Sequence, residues 1–213
     1  MEKFKHDFIK FAIALGVLRF GEFKLKSGRV SPYFFNSGLF NTGGSLAKLT
    51  RFYAEALRVS DLQYDLLYGP AYKGIPLVAG LSVALSDSGQ DIPYAFNRKE
   101  VKTYGDGGVI VGHPLEGRKV LIVEDVITAG TSVRESLEII KAHGAKTAGV
   151  LISLDRQEKG NGDKSAITEL KDEFGLDVVS IAKMDDIIEY LSQKEGMEDS
   201  LDKMREYRAR YGE

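Results

Sequence analysis

Two adjacent carboxylates, Glu124 and Asp125, close the apolar run Lys119–Val123, and Thr128-Ala129-Gly130-Thr131-Ser132 follows them into a helical pattern. Paired acids accept hydrogen bonds from sugar hydroxyls or hold the water shell of a metal. Backbone N–H groups and hydroxyls at a helix N-terminus suit a dianionic phosphate instead. The acids would repel a phosphate placed beside them, so a ligand carrying both hydroxyls and a phosphate, a phosphorylated sugar, satisfies both halves. TAGTS alone reads equally well as a helix start capped by Asp125 or Thr131. With the strand and the acid pair it is much more specific. Gly69-Pro70-Ala71-Tyr72-Lys73-Gly74 is a turn that exposes backbone amides beside a cation, both of which a pyrophosphate needs, although Lys73 by itself reads as a surface lysine. Arg98, Lys99 and Lys102 gather positive charge ahead of Gly105, Gly107 and Gly108. Such a loop can close over anions and exclude water, while Glu100 and Asp106 leave a solvated hairpin as the plainer alternative.

These segments need a scaffold, and the middle of the chain supplies one by alternating strand-like and helix-like stretches. Residues 65–68 run into the Gly69 turn and a helix, 92–96 are strand-like, and Lys119–Val123 precedes a helix over about 131–143. Residues 147–154 and 178–182 are apolar, β-branched runs, each followed by a polar turn and a further helix. This alternation predicts βαβ units and a mainly parallel sheet covered on both faces. Ligands of such sheets bind beyond the carboxyl ends of the strands, where residues 124–132 fall. Upstream, Phe4, Phe8, Phe11 and Leu15 recur at helical spacing as far as Gly16 and predict an opening helix. Residues 21–41 break into short aromatic runs at Ser27-Gly28, Ser31-Pro32 and Ser37-Gly38, as strands or hairpins do. Ser45 is the expected cap of a second helix with Leu46, Leu49, Tyr53 and Leu57 inward. The charged helical stretch from Met184 reads as a solvated covering helix.

Composition excludes several classes of function. The 213 residues carry 29 Lys plus Arg against 31 Asp plus Glu, a net charge of 29 − 31 = −2, without the basic excess of a non-specific nucleic-acid binder. Zero Cys removes disulfides, thiolate metal sites and a Cys nucleophile. No P-loop occurs, no G-x-G-x-x-G follows a predicted strand, and neither H-E-x-x-H nor G-x-S-x-G is present. No apolar run approaches a membrane span. The first eleven residues mix charges into their apolar stretch, against a secretory signal, so a cytoplasmic protein is expected. His6, His113 and His143 fall on helices or in a turn, with no chemistry implied.

Four segments in register narrow the family: Lys26-Ser27-Gly28-Arg29 with Ser31-Pro32-Tyr33-Phe34-Phe35-Asn36; Gly69 to Pro76; Asn97 to Lys102; and Lys119 to Ser132, to which Leu154-Asp155-Arg156-Gln157-Glu158 is added. In this order, from near the first residue to the C-terminal helix, the chain resembles the orotate phosphoribosyltransferases of the bacterial kind, within the type I phosphoribosyltransferases. The resemblance implies an α/β type I phosphoribosyltransferase fold, one domain over 1–213, whose first 45 or so residues form a small hood over the base. It implies transfer of phosphoribose from phosphoribosyl pyrophosphate (PRPP) to orotate, with Mg²⁺ held through PRPP, pyrophosphate and water and not directly by side chains.

By resemblance, Lys73, Lys99, Lys102 and Asp125 are catalytic. PRPP contacts fall to these four together with Lys26, Ala71, Tyr72, Arg98, Tyr104, Glu124, Val126, Ile127, Thr128, Ala129, Gly130, Thr131 and Ser132. Orotate, a flat anion, needs an apolar wall, backbone groups and a cation; the resemblance gives it Phe34, Phe35, Thr128 and Arg156. The loop over about 98–108 is implied to reach the partner's site in a homodimer, with neither nucleic acid nor membrane as partner. Tyr104 stands where the family usually has His, and a phenol titrating near pH 10 supplies no imidazole proton. Two alternatives stay open on the residues. One is transfer to another base, since only Phe34, Phe35 and Arg156 argue for an anionic pyrimidine. The other is a PRPP-sensing regulator that binds nucleic acid, disfavoured by the net charge and by retention of Lys73, Lys99 and Lys102.

Overall fold

The computed structural model describes residues 1–25, 27–102, 108–160 and 162–213, with residues 101 and 102 described through their backbone alone. Helix α1, Lys3–Ala14, buries Phe8, Ile9 and Ala12. Leu15 was expected inward but is exposed: it is the C-cap, the helix ends before it, and Gly16 turns away with φ +68°. Strands β1, Leu18–Lys24, and β2, Val30–Phe35, pair antiparallel as a separate two-stranded sheet. A 3-10 turn at Ser37–Leu39 leads to helix α2, Gly43–Arg58. Its cap is Thr42 and not Ser45. Thr42 has extended backbone and accepts from the Ser45 N–H, while the Ser45 hydroxyl accepts from the Thr42 N–H, a reciprocal capping box. Leu49, Tyr53 and Leu57 are buried as expected, with Leu46 packed at the edge.

The alternating region follows: β3 Leu66–Gly69, α3 Gly74–Asp87, β4 Tyr94–Lys102, β5 Gly108–Gly112, β6 Lys119–Val123, α4 Thr131–Ala142, β7 Lys146–Asp155, α5 Ala166–Phe174 and β8 Val178–Lys183. These strands form one six-stranded sheet in the order β5-β4-β3-β6-β7-β8, parallel except at β4–β5. Strand β4 outruns the expected 92–96 because its far end pairs with β5 as a hairpin, so Arg98 and Lys99 are strand residues and not part of a loop.

Burial on both faces explains why the parallel strands are continuous apolar runs. Leu66, Tyr68, Val120, Ile122, Val150 and Ile152 point to one core, shared with Val133 and Ile140 of α4 and Leu170 of α5. The alternate residues Leu67, Leu121, Val123 and Leu151 point to a second, larger core, which Leu154 joins at the end of β7. That core is closed by α1, α2, α3 and two C-terminal helices, α6 Met184–Ser192 and α7 Glu198–Tyr211. The C-terminal stretch is therefore more than a solvated cover: Met184, Ile187, Leu191, Met204 and Tyr207 are buried, a narrow apolar stripe among many charges. Among the described residues no helix is long and apolar enough to cross a membrane. Connections from β3 pass to β4 on one side, and those from β6 pass to β7 on the other. The crevice at the carboxyl ends of β3 and β6 is thus the point where the sheet changes direction.

Candidate active site

Glu124 and Asp125 leave β6 at that crevice, and their backbone is pinned from both sides. The Tyr53 hydroxyl of α2 donates to the Glu124 carbonyl at 2.7 Å, and the hydroxyl and N–H of Ser153 on β7 both donate to the Asp125 carbonyl, at 2.6 and 2.8 Å. Buried carbonyls need such partners. The Asp125 carboxylate meets Lys73 Nζ at 2.8 Å and the Ser37 hydroxyl at 2.5 Å on the same oxygen, Oδ2. Glu124 is buried, and its Oε1 accepts from the Ser132 hydroxyl at 2.5 Å. Burial raises the Glu124 pKa above the ordinary glutamate value; the Ser132 hydrogen bond pulls it back and the Asp125 charge pushes it up further.

The 69–74 turn is as tight as its two glycines allow. A Cβ on Gly69 would lie 2.2 Å from the Gly74 carbonyl oxygen, and one on Gly74 would lie 2.7 Å from the Pro70 ring. Ala71 donates its N–H to the Oδ1 of buried Asn97, at 2.8 Å, and the Ala71–Tyr72 peptide is cis. Tyr72 and Lys73 project outward, with 71% of Tyr72 and 65% of the Lys73 side chain exposed, so both can meet a ligand.

At the start of α4 the residue in the cap position is Gly130, in left-handed backbone with φ +73°, and no side chain caps the helix. The capping alternative for Asp125 and Thr131 is therefore not what the chain builds. The first-turn amides are left for an anion. Thr128, Ala129 and Thr131 are exposed around them. Val126 and Ile127 turn their side chains into the two cores, so only their backbone can serve a ligand. The Ser132 hydroxyl is engaged by Glu124.

The residues expected to meet the base come from distant segments. Phe34 and Phe35, neighbours on β2, face opposite ways, as strand residues must. Phe35 packs on the core near Phe8, whereas Phe34 stacks on Phe23 at 5.5 Å beneath Arg19. The two rings do not form the single wall expected of them. Arg156, just beyond β7, is brought beside β2 and lies 4.6 Å over the Tyr33 ring. Its Nε and Nη2 donate to Glu158 Oε1. Burial works against the Arg156 charge, but Tyr33 and Glu158 outweigh it and hold the pKa above that of an ordinary arginine. Arg29 ties the hairpin to the same loop by donating to the Lys159 and Gly160 carbonyls.

The chain that brings a strand-end acid pair, an uncapped helix start and a cationic glycine turn to one crevice is similar to known proteins. The phosphoribosyl transferase domain family matches residues 38–182. An orotate phosphoribosyltransferase of Photobacterium profundum is 59% identical over 213 residues, covering 100% of both chains. The chain belongs to the orotate phosphoribosyltransferase family. The orotate phosphoribosyltransferase of Pseudomonas aeruginosa is 56% identical over the same 213 residues. The crystal structure of the orotate phosphoribosyltransferase of Francisella tularensis superposes with a TM-score of 0.90 at 48% identity, covering 97% of this chain and 100% of that one. The Mycobacterium tuberculosis orotate phosphoribosyltransferase bound to PRPP, 23% identical with a TM-score of 0.65 over 86% of this chain and 98% of that one, shares the fold.

Against this phosphoribosyltransferase frame, the structure brings Lys73, Glu124, Asp125 and residues 126–132 together. Lys99 lies on the β4–β5 hairpin, with Nζ 4.0 Å from Glu135 of α4, and Arg98 donates to the Gly108 carbonyl across the same hairpin. Lys26, Tyr104 and the Lys102 side chain lie outside the described residues. Sequence reading missed the parts played by Ser37, Tyr53, Asn97 and Ser153 in holding the site, and of these only Asn97 stands in one of the four segments. Only Asn97 left a signal, as a polar residue inside a strand-like run that ends in cations.

Proposed function

We propose a division of labour among these residues for the reaction that comes with the family: the 5-phosphoribosyl group of PRPP passes to orotate, giving orotidine 5′-monophosphate and pyrophosphate in pyrimidine biosynthesis. Breaking the C1–O bond of PRPP builds positive charge on the ribose and negative charge on the leaving pyrophosphate, while N1 of orotate bonds to C1 and loses its proton. Catalysis of such a step is chiefly electrostatic. The observation that carries the assignment is the 2.8 Å contact of Lys73 with Asp125, which sets a cation for the pyrophosphate against an acceptor for the ribose across the β3–β6 crevice. When PRPP binds, exposed Lys73 swings to the pyrophosphate beside the amides of Ala71 and Tyr72. Asp125 and Glu124 take the ribose hydroxyls and favour cationic character in the ring. The 5′-phosphate sits on the uncapped start of α4 with residues 126–132. Lys26, Arg98, Lys99, Lys102 and Tyr104 complete the cover over the anions. Orotate lies beside the hood, formed by the first 45 or so residues of a single domain, near Thr128 and the backbone of Phe34 and Phe35, with its carboxylate on Arg156.

The donor set suits a Mg²⁺ that arrives on the pyrophosphate. Both carboxylates of the acid pair are engaged by donors of their own chain, and among the described residues no group of three or more His, Cys, Asp and Glu is placed to hold a metal. When bound, the ion supplies charge neutralisation at the diphosphate, with Asp125 and Glu124 the carboxylates that would meet its water shell.

Helix α3 supports the homodimer. It is apolar nearly all round, and its Pro76 and Val83 are exposed, as is Tyr72 in the turn before it, a pattern that belongs in a core or an interface. If the segment over about 98–108 serves the partner's site, mixing Lys102→Ala and Asp125→Asn subunits restores activity as hybrids form; verified mixing without recovery contradicts the sharing. A polyphosphate substrate supports a cytoplasmic location. The test of the whole reading is ultraviolet loss of orotate on adding PRPP and Mg²⁺, with uracil, adenine and hypoxanthine in parallel. Mg²⁺-dependent turnover of orotate alone is expected. Turnover only with another base overturns the pocket assignment, and PRPP binding without turnover favours a sensor.

A further inference from the structure

We infer that Glu158 is a positioning residue that fixes the guanidinium of Arg156 for the carboxylate of the base, an inference that rests on the assignment of Arg156 above. Arg156 donates to Glu158 Oε1 from Nε at 3.0 Å and from Nη2 at 2.7 Å, so the side edge of the fork is taken by its own chain. Among the described residues Nη1 has no protein partner, which leaves the Nη1–Nη2 end for a second, bidentate carboxylate. The plane of the fork is set by Tyr33, whose ring lies 4.6 Å below it and whose hydroxyl donates to the same Glu158 oxygen at 3.1 Å. Tyr33 is wholly buried and braced edge-on by Tyr207.

Arg156 and Glu158 meet, though only two residues apart, because Gln157 between them takes left-handed backbone, φ +49°, the only non-glycine residue with positive φ among those described. That conformation is costly for a side chain and is kept where the surroundings demand it. Here the Asp155 carboxylate accepts the Gln157 N–H, and the Lys159 N–H donates to the Tyr211 carbonyl, so the turn is held at both ends. With only 15% of the Arg156 side chain and 11% of the Glu158 side chain exposed, the pair is shielded from water and its geometry is retained. The bound base then meets an arginine already neutralised and already aimed, and recognition depends on the fit of the carboxylate to a fixed fork.

Steady-state kinetics on the intact enzyme test this. Glu158→Ala should raise KM for orotate about tenfold, as loss of a charged hydrogen-bond partner does, and leave KM for PRPP unchanged. Glu158→Gln, which keeps an acceptor oxygen, should restore most of the loss, and in an Arg156→Ala background Glu158→Ala should add nothing. An unchanged or lowered orotate KM in Glu158→Ala overturns the proposal, the lowered value marking Glu158 as a competitor of the base. An equal rise in both KM values overturns it too, as a general loss of structure. If Glu158→Ala does not fold, Tyr33→Phe, which removes one donor to Glu158 and keeps the ring, should raise orotate KM alone; no change there counts against the proposal. Failure of the underlying assignment looks different, since Arg156→Ala itself then leaves orotate KM untouched.

Discussion

Asp125 is held through its backbone carbonyl as well as its carboxylate, whereas Arg156 is held through its guanidinium. At the phosphoribosyl end, Tyr53 and Ser153 clamp the carbonyls of Glu124 and Asp125, two glycines shape the 69–74 turn, and the side chains of Lys73 and Thr128 stay exposed to reach a ligand. At the proposed base end the scaffold is a two-stranded hairpin and a loop, and Arg156, the proposed recognising group, is fixed by a ring, a carboxylate and the Gln157 turn. The first arrangement fits a ligand that must be gripped while charge moves within it. The second fits a ligand that is chosen by shape and by one carboxylate.

The sharpest break of this contrast is Gly69→Ala. Its Cβ would fall 2.2 Å from the Gly74 carbonyl, which cannot yield without opening the turn. We expect loss of folded protein or of PRPP binding, checked by soluble yield and by titration with PRPP; a folded variant that binds PRPP normally would show the turn to be adaptable. Next in size, Lys73→Ala should lower kcat/KM by about 100-fold, the usual cost of one charge-stabilising donor, with the thermal midpoint kept because the side chain is mostly exposed. Unchanged kinetics would remove its electrostatic role.

A smaller effect of opposite sign is expected from Glu124→Gln. Burial raises the Glu124 pKa in the fold, so between its unfolded and folded values the native state binds more protons than the unfolded chain. Stability falls as pH rises through that window, and the cost persists at neutral pH. The amide carries no such cost and can still accept from Ser132. Glu124→Gln should therefore gain stability at pH 7, keep less of that gain below the window, and lose activity, as denaturant titrations at two pH values and a turnover assay would show. A variant less stable at pH 7 would contradict this. The least effect is expected from Tyr104→Phe, which should retain most activity; a collapse comparable to that of Lys102→Ala would make the phenol essential.

The same contrast explains how far the site could be read from residues alone. Residues 119–132 announce themselves because strand, acids and phosphate loop are contiguous, and βαβ order then places them at the end of the sheet. The alternation of Leu66, Leu67 and Tyr68 between two cores follows from the same parallel pattern. The base end left weaker marks, because its parts meet only in three dimensions: Tyr33 and Glu158 are 125 residues apart. Ser37 and Tyr53 reach the acid pair through single hydroxyls, which no spacing rule anticipates. Adjacent Phe34 and Phe35 suggested one wall, but strand alternation separates them. In the C-terminal helices, many charges hid a stripe only a few residues wide, with Met204 and Tyr207 at its centre.

The most direct measurement is a paired determination of KM for PRPP and for orotate in Lys73→Ala and Arg156→Ala, with melting curves to confirm folding. The expected result is a crossed pattern: Lys73→Ala impairs kcat and the use of PRPP while orotate KM stays near its original value, and Arg156→Ala raises orotate KM about tenfold or more with PRPP KM unchanged. Parallel changes in both constants for both variants would contradict the division of the site into two separately built ends.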